Sequence, residues 1–291
     1  MTSDVLNDSK ISRLIEEALV EDIGLGDITT EALVPTNALG RADTLVKARG
    51  VIAGLEVAGL VFQYVDPNVS LKPLVNDGDE VEGGKIVASV EGPLAGILKA
   101  ERTALNFLQR MSGIATLTRG FVKAVEGTRV KITDTRKTVP GLRILDKLSV
   151  ELGGGVNHRF GLDDMVLIKN NHIAFAGGIS SAIDKCLRFL HASNLNIKVE
   201  VETKNLNEVR EVLKHKGIHR IMLDNFPIGD IRRAVQLINS RLETEASGNV
   251  SLENVRPIAE TGVDYISIGA LTHSPKALDI SLEVKEIISQ P

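Results

Sequence analysis

Hydrophobic and polar positions follow two different rhythms in the two parts of the chain. From Ser9 to Val20 the apolar residues Ile11, Leu14, Ile15, Ala18 and Leu19 recur at helical spacing, with Ser9 or Ser12 available as a cap, and predict an opening helix. Alternating segments at Ala42 to Ala48, Val69 to Val75 and Ile86 to Val90 follow, separated by the turn-rich Asn76-Asp77-Gly78-Asp79 and Gly83-Gly84, and read as a small sheet. From Leu94 to about Glu126 the spacing is helical again, with Leu98, Leu105, Phe107, Leu108, Met111 and Ile114 on an apolar face.

After Gly127 short β-branched runs take over, each ending in a polar or small residue and followed by a helical stretch. Val130 to Thr135, Met165 to Lys169, Lys198 to Glu202, Arg220 to Asp224, Leu242 to Ser247 and Tyr265 to Gly269 are the predicted strands. The last four strand ends are evenly spaced: Glu202 to Asp224 is 22 residues, Asp224 to Ser247 is 23 and Ser247 to Gly269 is 22. That is the length of a strand-loop-helix-loop unit, and a series of them predicts a parallel α/β barrel. Only six or seven strands are visible, so an open or incomplete barrel is expected, with a doubly wound sheet as the alternative. The fold class expected is therefore α/β, with an N-terminal α/β domain over 1–115 and a barrel domain over 116–274. The tail, 275–291, reads as helical and is expected to return to the first domain.

Composition narrows the function classes. Of 291 residues 43% are hydrophobic and 25% charged, the balance of a globular protein, and the formal net charge of -4 argues against a nucleic-acid surface. Cys186 is the only cysteine, so no internal disulfide forms, and its neighbours Ile183, Leu187 and Leu190 give it the setting of a helix interior. The first ten residues carry Asp4 and Asp8 and lack a secretory pattern, and no run approaches the roughly 20 apolar residues that cross a bilayer. A cytoplasmic protein that uses no membrane is expected.

The strand ends carry the chemistry. In a parallel barrel they converge on one face, where distant residues meet around a ligand. After the first strand comes Asp134-Thr135-Arg136-Lys137-Thr138, a later loop holds Asn157-His158-Arg159, and the second strand ends at Lys169. Cations gathered in one place repel unless an anion neutralises them, and arginine suits carboxylates and phosphates through its paired donors. The next two strands end in Glu202 and Asp224, natural ligands for magnesium or for sugar hydroxyls, and Glu200 shares the face of Glu202 by strand alternation. The last two end small, at Ser247-Gly248-Asn249 and Gly269-Ala270 with Thr272 and His273 beyond, which lets backbone N–H groups approach a phosphate. A phosphorylated sugar with further negative charge, bound with magnesium beside an anionic partner, is the inferred ligand.

These residues stand in motifs that resemble a known family. Glu101-Arg102-Thr103-Ala104-Leu105-Asn106, Thr135-Arg136-Lys137-Thr138, Asn157-His158-Arg159, Leu167-Ile168-Lys169 with Asn171-His172, Val199-Glu200-Val201-Glu202, Met222-Leu223-Asp224-Asn225, Glu245-Ala246-Ser247-Gly248 and Ile268-Gly269 look like quinolinate phosphoribosyltransferase, over nearly the whole chain and in order. The resemblance implies an N-terminal α/β sandwich domain, a C-terminal open α/β barrel, magnesium, and a homodimer in which Arg102 completes the neighbouring site. It further implies that quinolinate and phosphoribosyl pyrophosphate become nicotinate mononucleotide, pyrophosphate and carbon dioxide. Under it Arg102, Arg136, His158, Arg159 and Lys169 bind quinolinate and Lys137 meets the pyrophosphate. Glu202 and Asp224 serve the metal, directly or through water, or the ribose, while Ser247, Gly248, Asn249, Gly269 and His273 line the phosphate site. Lys137, Lys169, Glu202 and Asp224 are the catalytic candidates, and His158 is either a binder or a proton donor.

Two positions depart from the family pattern: Asn249 stands where many members have Gly, and Asn170 where many have Asp. Two other readings stay open. A barrel lyase or aldolase would use Lys169 as a Schiff base. A carrier module would modify Lys85, although Asp77 to Lys85 is explained by tight turns alone.

Overall fold

The computed structural model describes residues 9–289. In chain order it contains α1 (Ser9–Ile23), α2 (Ile28–Leu33), β1 (Ala38–Val46), β2 (Gly50–Val51), α3 (Leu55–Val65), β3 (Ser70–Pro73), β4 (Glu80–Val81), β5 (Ile86–Pro93) and the long α4 (Leu94–Ala124). Then come β6 (Lys131–Thr133), α5 (Arg143–Leu152), β7 (Met165–Ile168), α6 (Asn170–Ala176), α7 (Ile179–Ala192), β8 (Lys198–Thr203), α8 (Leu206–Val212) and β9 (Arg220–Asp224). The chain finishes with α9 (Ile228–Ile238), β10 (Glu243–Ser247), α10 (Val255–Ala259), β11 (Tyr265–Ser267), α11 (Ala270–His273) and β12 (Ile280–Ser289). Two compact units result, one from residues 9–119, 139–154 and 274–289, the other from 120–138 and 155–273.

The first unit is built on an antiparallel sheet of order β12-β1-β5-β3. Its core takes Ile11, Ile15 and Leu19 from α1, one stripe at i, i+4 and i+8, together with Val57 and Val61 of α3, Val87 and Val90 of β5, and Ile97 and Leu108 of α4. Each such side chain is worth about 1.5–3 kcal/mol when removed from water. Asp27 caps α2 by accepting from the Thr30 N–H at 3.0 Å. Helix α5 is tied to α4 by a two-pronged contact: Arg110 Nε and Nη2 donate to Asp146 Oδ1 and Oδ2 at 2.9 and 2.8 Å. Asp146 is buried, so truncating Arg110 would strand a carboxylate at a cost of about 3–5 kcal/mol.

Two expectations change here. The tail forms strand β12 instead of a helix, pairing with β1 from Ala38↔Ser289 to Val46↔Ile280 across a bulge at Arg41/Ala42. Residues 139–154, expected within the barrel domain, pack with the first unit. The turn reading of Lys85 fits: it is exposed and follows Gly84, whose φ is +86°. Cys186 lies half-buried in α7, where burial raises its thiol pKa.

The second unit is a six-stranded, wholly parallel sheet of order β6-β11-β10-β9-β8-β7. Strands β7 to β11 stand in sequence order and β6 closes against β11, the cyclic order of a barrel. Among the described residues β6 and β7 are not paired, and a lone bridge between Thr133 and Val156 extends the β6 edge. The barrel is therefore open, and all strands present their carboxyl ends to one side.

Candidate active site

The carboxyl ends gather the predicted strand-end residues. Register sets Ser247 beside both Asp224 and Ser267, and Ser267 beside Thr133, so the tips of β9, β10, β11 and β6 are neighbours. A cavity of about 170 Å³ is lined there by Thr135, Arg136, Lys137, His158, Arg159, Lys169, Glu202, Asp224, Glu245, Ser247 and Ser267, with Leu167 and Met222 as apolar walls. A second cavity, of about 410 Å³, shares Thr135, Lys137, Asp224, Ser247 and Ser267 with the first and adds Asn225, Gly248, Asn249, Gly269 and His273. One compartment is narrow and cationic. The other is wider, with small residues and backbone on its wall.

Cations crowd the first compartment. Arg159 lies below its ordinary pKa because of burial and then of the like charge on Arg136. Its guanidinium is anchored by Nη1 donating to the Met165 carbonyl at 3.1 Å. Arg136, Lys137 and Lys169 are exposed at the rim. Gly269 leaves the room Lys137 occupies, since a Cβ there would stand 2.9 Å from Lys137 Cδ and 3.2 Å from His273 Cδ2. The Lys137 backbone is fixed from two sides, its N–H donating to Thr135 Oγ1 at 3.0 Å and its carbonyl accepting from Thr272 Oγ1 at 2.9 Å.

Beneath the cations lies a buried charged column. The His158 N–H donates to Asp134 Oδ1 at 2.7 Å, and Nε2 stands 3.1 Å from Glu200 Oε2 and 3.3 Å from Glu245 Oε2. Both are ion-pair distances. Arg220 Nη1 donates to Glu245 Oε2 at 2.9 Å, and its Nη2 to Glu243 Oε2 at 3.0 Å. Burial opposes a charge on His158, but hydrogen bonding and attraction from Glu200 and Glu245 outweigh it and raise its pKa to about 9. Burial and the charge of Glu245 push Glu200 up to about 7. Burial works to raise Glu245 as well, yet His158 and Arg220 hold it below its ordinary value. The Arg159 N–H donates to His158 Nδ1 at 2.8 Å, which favours a ring protonated on Nε2 alone. The two buried acids decide the proton count, because an uncompensated buried carboxylate costs more than one backbone hydrogen bond. With its nitrogens turned to the acids and to Arg159, the ring offers a ligand its charge more than a free N–H.

Glu202 and Asp224 are each oriented by an asparagine. Asn170 Nδ2 donates to Glu202 Oε1 at 2.6 Å, and Asn225 Nδ2 to Asp224 Oδ2 at 3.1 Å. Asn225 is held in turn by Asn249 Nδ2 donating to its Oδ1 at 2.9 Å. Both family departures thus touch the acids, Asn170 directly and Asn249 through Asn225. Carboxylate oxygens with further lone pairs, next to a space of phosphate width, suit a hard cation that keeps waters and substrate oxygens in its shell, so the donor set fits magnesium. Among the described residues the cluster whose ligand atoms lie within 4.8 Å of one another is His158, Glu200 and Glu245, and there Arg220 already supplies the counter-charge.

Arg102 lies exposed on α4 in the first unit and lines neither cavity. Sequence reasoning passed over Glu245, Asp134, Arg220 and Asn225 as site residues. Glu245 had a readable signal, since two residues before Ser247 it shares that residue's face of β10. Asp134 and Asn225 act through contacts across the loop ends, which no local pattern announces.

An open parallel barrel whose carboxyl-end mouth sets cations, two acids and small residues around joined cavities defines an enzyme for anionic, phosphate-bearing substrates. Residues 27–112 match the N-terminal domain and residues 114–283 the C-terminal domain described for quinolinate phosphoribosyl transferase, and the chain belongs to that family. It is similar to quinolinate phosphoribosyltransferase (decarboxylating) 2, mitochondrial, of Nicotiana glauca, with 48% identity over 94% of this chain and 82% of the relative. A probable nicotinate-nucleotide pyrophosphorylase (carboxylating) of Bacillus subtilis is 42% identical over 96% of this chain and 95% of its own length. The solved nicotinate-nucleotide pyrophosphorylase of Francisella tularensis superposes with a TM-score of 0.90 at 39% identity, covering 95% of this chain and 96% of the other.

Proposed function

We propose that this chain transfers a phosphoribosyl group from phosphoribosyl pyrophosphate to quinolinate with loss of carbon dioxide, giving nicotinate mononucleotide and pyrophosphate in NAD biosynthesis. The observation that carries the reading is the pair of joined cavities, one cationic and sized for a small dianion, the other lined by Ser247, Gly248, Asn249, Gly269 and His273 and suited to a phosphorylated sugar.

In this reading Arg136, Arg159 and Lys169 hold the two carboxylates, and His158 adds buried positive charge beneath them. Lys137 faces the leaving pyrophosphate. Glu202 and Asp224 would hold magnesium, directly or through water, and the ribose hydroxyls; when bound, the metal supplies charge neutralisation to the pyrophosphate. As the C1–O bond breaks, positive charge develops on the sugar, which the same two carboxylates stabilise. The pyridine nitrogen then bonds to C1. The resulting pyridinium accepts electron density when the adjacent C–C bond breaks, carbon dioxide leaves, and the ring carbon takes up a proton.

The functional unit in this proposal is a homodimer in which Arg102 of one subunit completes the quinolinate site of the other. No helix among the described residues is long and apolar enough to cross a membrane, and a cytoplasmic location is part of the proposal. The lyase reading through Lys169 is not favoured: its amine is exposed at a rim, whereas a Schiff-base lysine is ordinarily desolvated in a closed pocket. Release of labelled carbon dioxide from carboxyl-labelled quinolinate, dependent on both phosphoribosyl pyrophosphate and magnesium, tests the assignment, and release independent of the sugar phosphate would refute it.

A further inference from the structure

The amino ends of the same strands form a second mouth. Lys131 opens β6, Lys198 opens β8, Glu243 opens β10 and Tyr265 opens β11; with Arg129 and Arg241 they surround a cavity of about 660 Å³. That volume lies in the range that takes a drug-sized or nucleotide-sized ligand.

Its charges do not balance. Of the two acids lining it, Asp264 faces Arg129 at 3.3 Å, and Glu243 accepts from Arg220 at 3.0 Å and from the Tyr265 hydroxyl at 3.2 Å. Both acids are committed. Lys131 and Lys198 are exposed, and among the described residues neither forms an ion pair with a carboxylate. Lys131 Nζ stands 5.9 Å from the Tyr265 ring centre. Arg241 uses its guanidinium on the carbonyls of Ile238 and Leu237, at 3.0 and 2.8 Å, and so keeps an uncancelled charge. A structural end of a barrel has no need of such an excess, which costs stability until an anion arrives.

This mouth is wired to the other one. The Arg220 guanidinium stacks on Tyr265 at 3.8 Å and forks between Glu243 at the amino end and Glu245 in the interior. Glu245 is the acid that faces His158 at 3.3 Å, and His158 lines the cationic pocket at the carboxyl end. A single guanidinium, itself buried, therefore links the half-exposed Glu243 at the amino end to the fully buried Glu245 in the interior.

We propose that the amino-end cavity is a second anion site for a phosphate-bearing small molecule of mononucleotide size, and that its occupancy is coupled to the carboxyl-end pocket through Arg220, Glu245 and His158. A phosphate between Lys131, Lys198 and Arg241 competes with Glu243 for Arg220 and draws its guanidinium away from Glu245. Release of Glu245 alters the charge that holds His158, and with it the affinity of the pocket for a dianion. The coupling part rests on the function proposed above; the binding part does not.

Calorimetric titration of AMP into the full chain, with inorganic phosphate as a parallel probe, tests the site. AMP should show a binding event that weakens at least about tenfold in Lys131→Ala/Lys198→Ala, a variant that touches no residue of the proposed active site and should keep basal turnover. The same lysine-dependent event with phosphate alone would define the ligand by its phosphate group. AMP binding unchanged by the double substitution, or none to wild type, overturns the site. In turnover assays AMP should shift the KM for quinolinate by about fivefold or more, the lower range of allosteric coupling. The shift should vanish both in the double variant and in Arg220→Lys, which retains the cation without the fork and should still bind AMP. Lysine-dependent binding without any KM shift would overturn the coupling and leave the site.

Discussion

Asn170 donates its side-chain amide to Glu202 at 2.6 Å, so a residue that departs from the family pattern is the one that orients an acid of the proposed metal and sugar site. The contact leaves Glu202 Oε2 for a ligand. A carboxylate in place of Asn170 would meet Glu202 with like charge at the same distance, whereas the amide supplies a donor.

Removing that donor should loosen Glu202 without altering the cations that would bind quinolinate. Asn170→Ala is expected to raise the KM for phosphoribosyl pyrophosphate and the magnesium requirement by about 10-fold, the low end of what outer contacts to metal ligands contribute. The KM for quinolinate should stay within a factor of about two. Steady-state kinetics with each substrate varied in turn separates these, and equal losses for both would remove Asn170 from the positioning role.

Lys137→Ala and Lys169→Ala should each lower kcat/KM by about 10²–10³-fold, the scale of losing one preorganised charge in a site. The melting temperature should hold or rise slightly, because each substitution takes an exposed cation from a like-charged group. Thermal unfolding measured beside activity checks both halves; a variant that melts early yet retains turnover would contradict the assignment.

The parallel strands and the strand-end residues were legible because both follow from local rules. Apolar runs closed by Glu202, Asp224, Ser247 and Gly269 sit at the even spacing that a βα unit requires, and the observed strands end at or within two residues of these positions. The tail was misread for a physical reason. Ile280, Val284, Ile287 and Ile288 fit a helical stripe at i, i+4, i+7 and i+8, while Ile280, Leu282 and Val284 alternate as a strand, and pairing with β1, over two hundred residues away in sequence, decides between them. The placement of 139–154 was hidden similarly. A helix between two barrel strands looks like a barrel helix until the bidentate contact of Asp146 with Arg110 draws it into the first unit.

Gly248 couples the sugar side of the site to Asp224. Its φ is +97°, and a Cβ there would lie 2.3 Å from Asn225 Oδ1. Gly248→Ala should therefore cost about 1–3 kcal/mol through backbone strain and displace Asn225 from Asp224. Urea unfolding and the KM for phosphoribosyl pyrophosphate should move together, and a variant as stable as wild type with normal kinetics would show that the turn adapts freely.

The buried column makes stability depend on pH. His158 has its pKa raised to about 9, above the value of about 6.5 expected when unfolded, so its contribution is fully present below pH 6.5 and is lost as the pH rises through about 9. Wild type should lose stability between pH 7 and pH 9.5, and His158→Gln, which cannot carry the proton, should show a flatter profile. Chemical denaturation at pH 6.5 and 9.5 measures this. A gap between the two proteins that stays constant over that range would mean that His158 does not hold its proton through the interval.

Arg102 provides the sharpest test of the proposed dimer. It is exposed on α4, in the first unit, and lines neither carboxyl-end cavity. An exposed arginine on a helix is ordinarily a solvated charge worth little to stability, so Arg102→Ala should fold normally. If the residue completes the pocket of a partner subunit, Arg102→Ala should nonetheless lose most of its activity, chiefly through the KM for quinolinate. Lys169→Ala should be inactive for a different reason, since Lys169 lines the pocket of its own chain. Mixing the two variants under conditions that exchange subunits then distinguishes the arrangements. In a heterodimer with a shared site, one pocket carries both defects and the other carries neither, so activity returns towards half of the wild-type value per heterodimer. If Arg102 served its own chain, each pocket would keep one defect and mixing would restore nothing. Native mass spectrometry of the mixture establishes that exchange has occurred, so that silence with heterodimers present would count directly against a site shared between subunits.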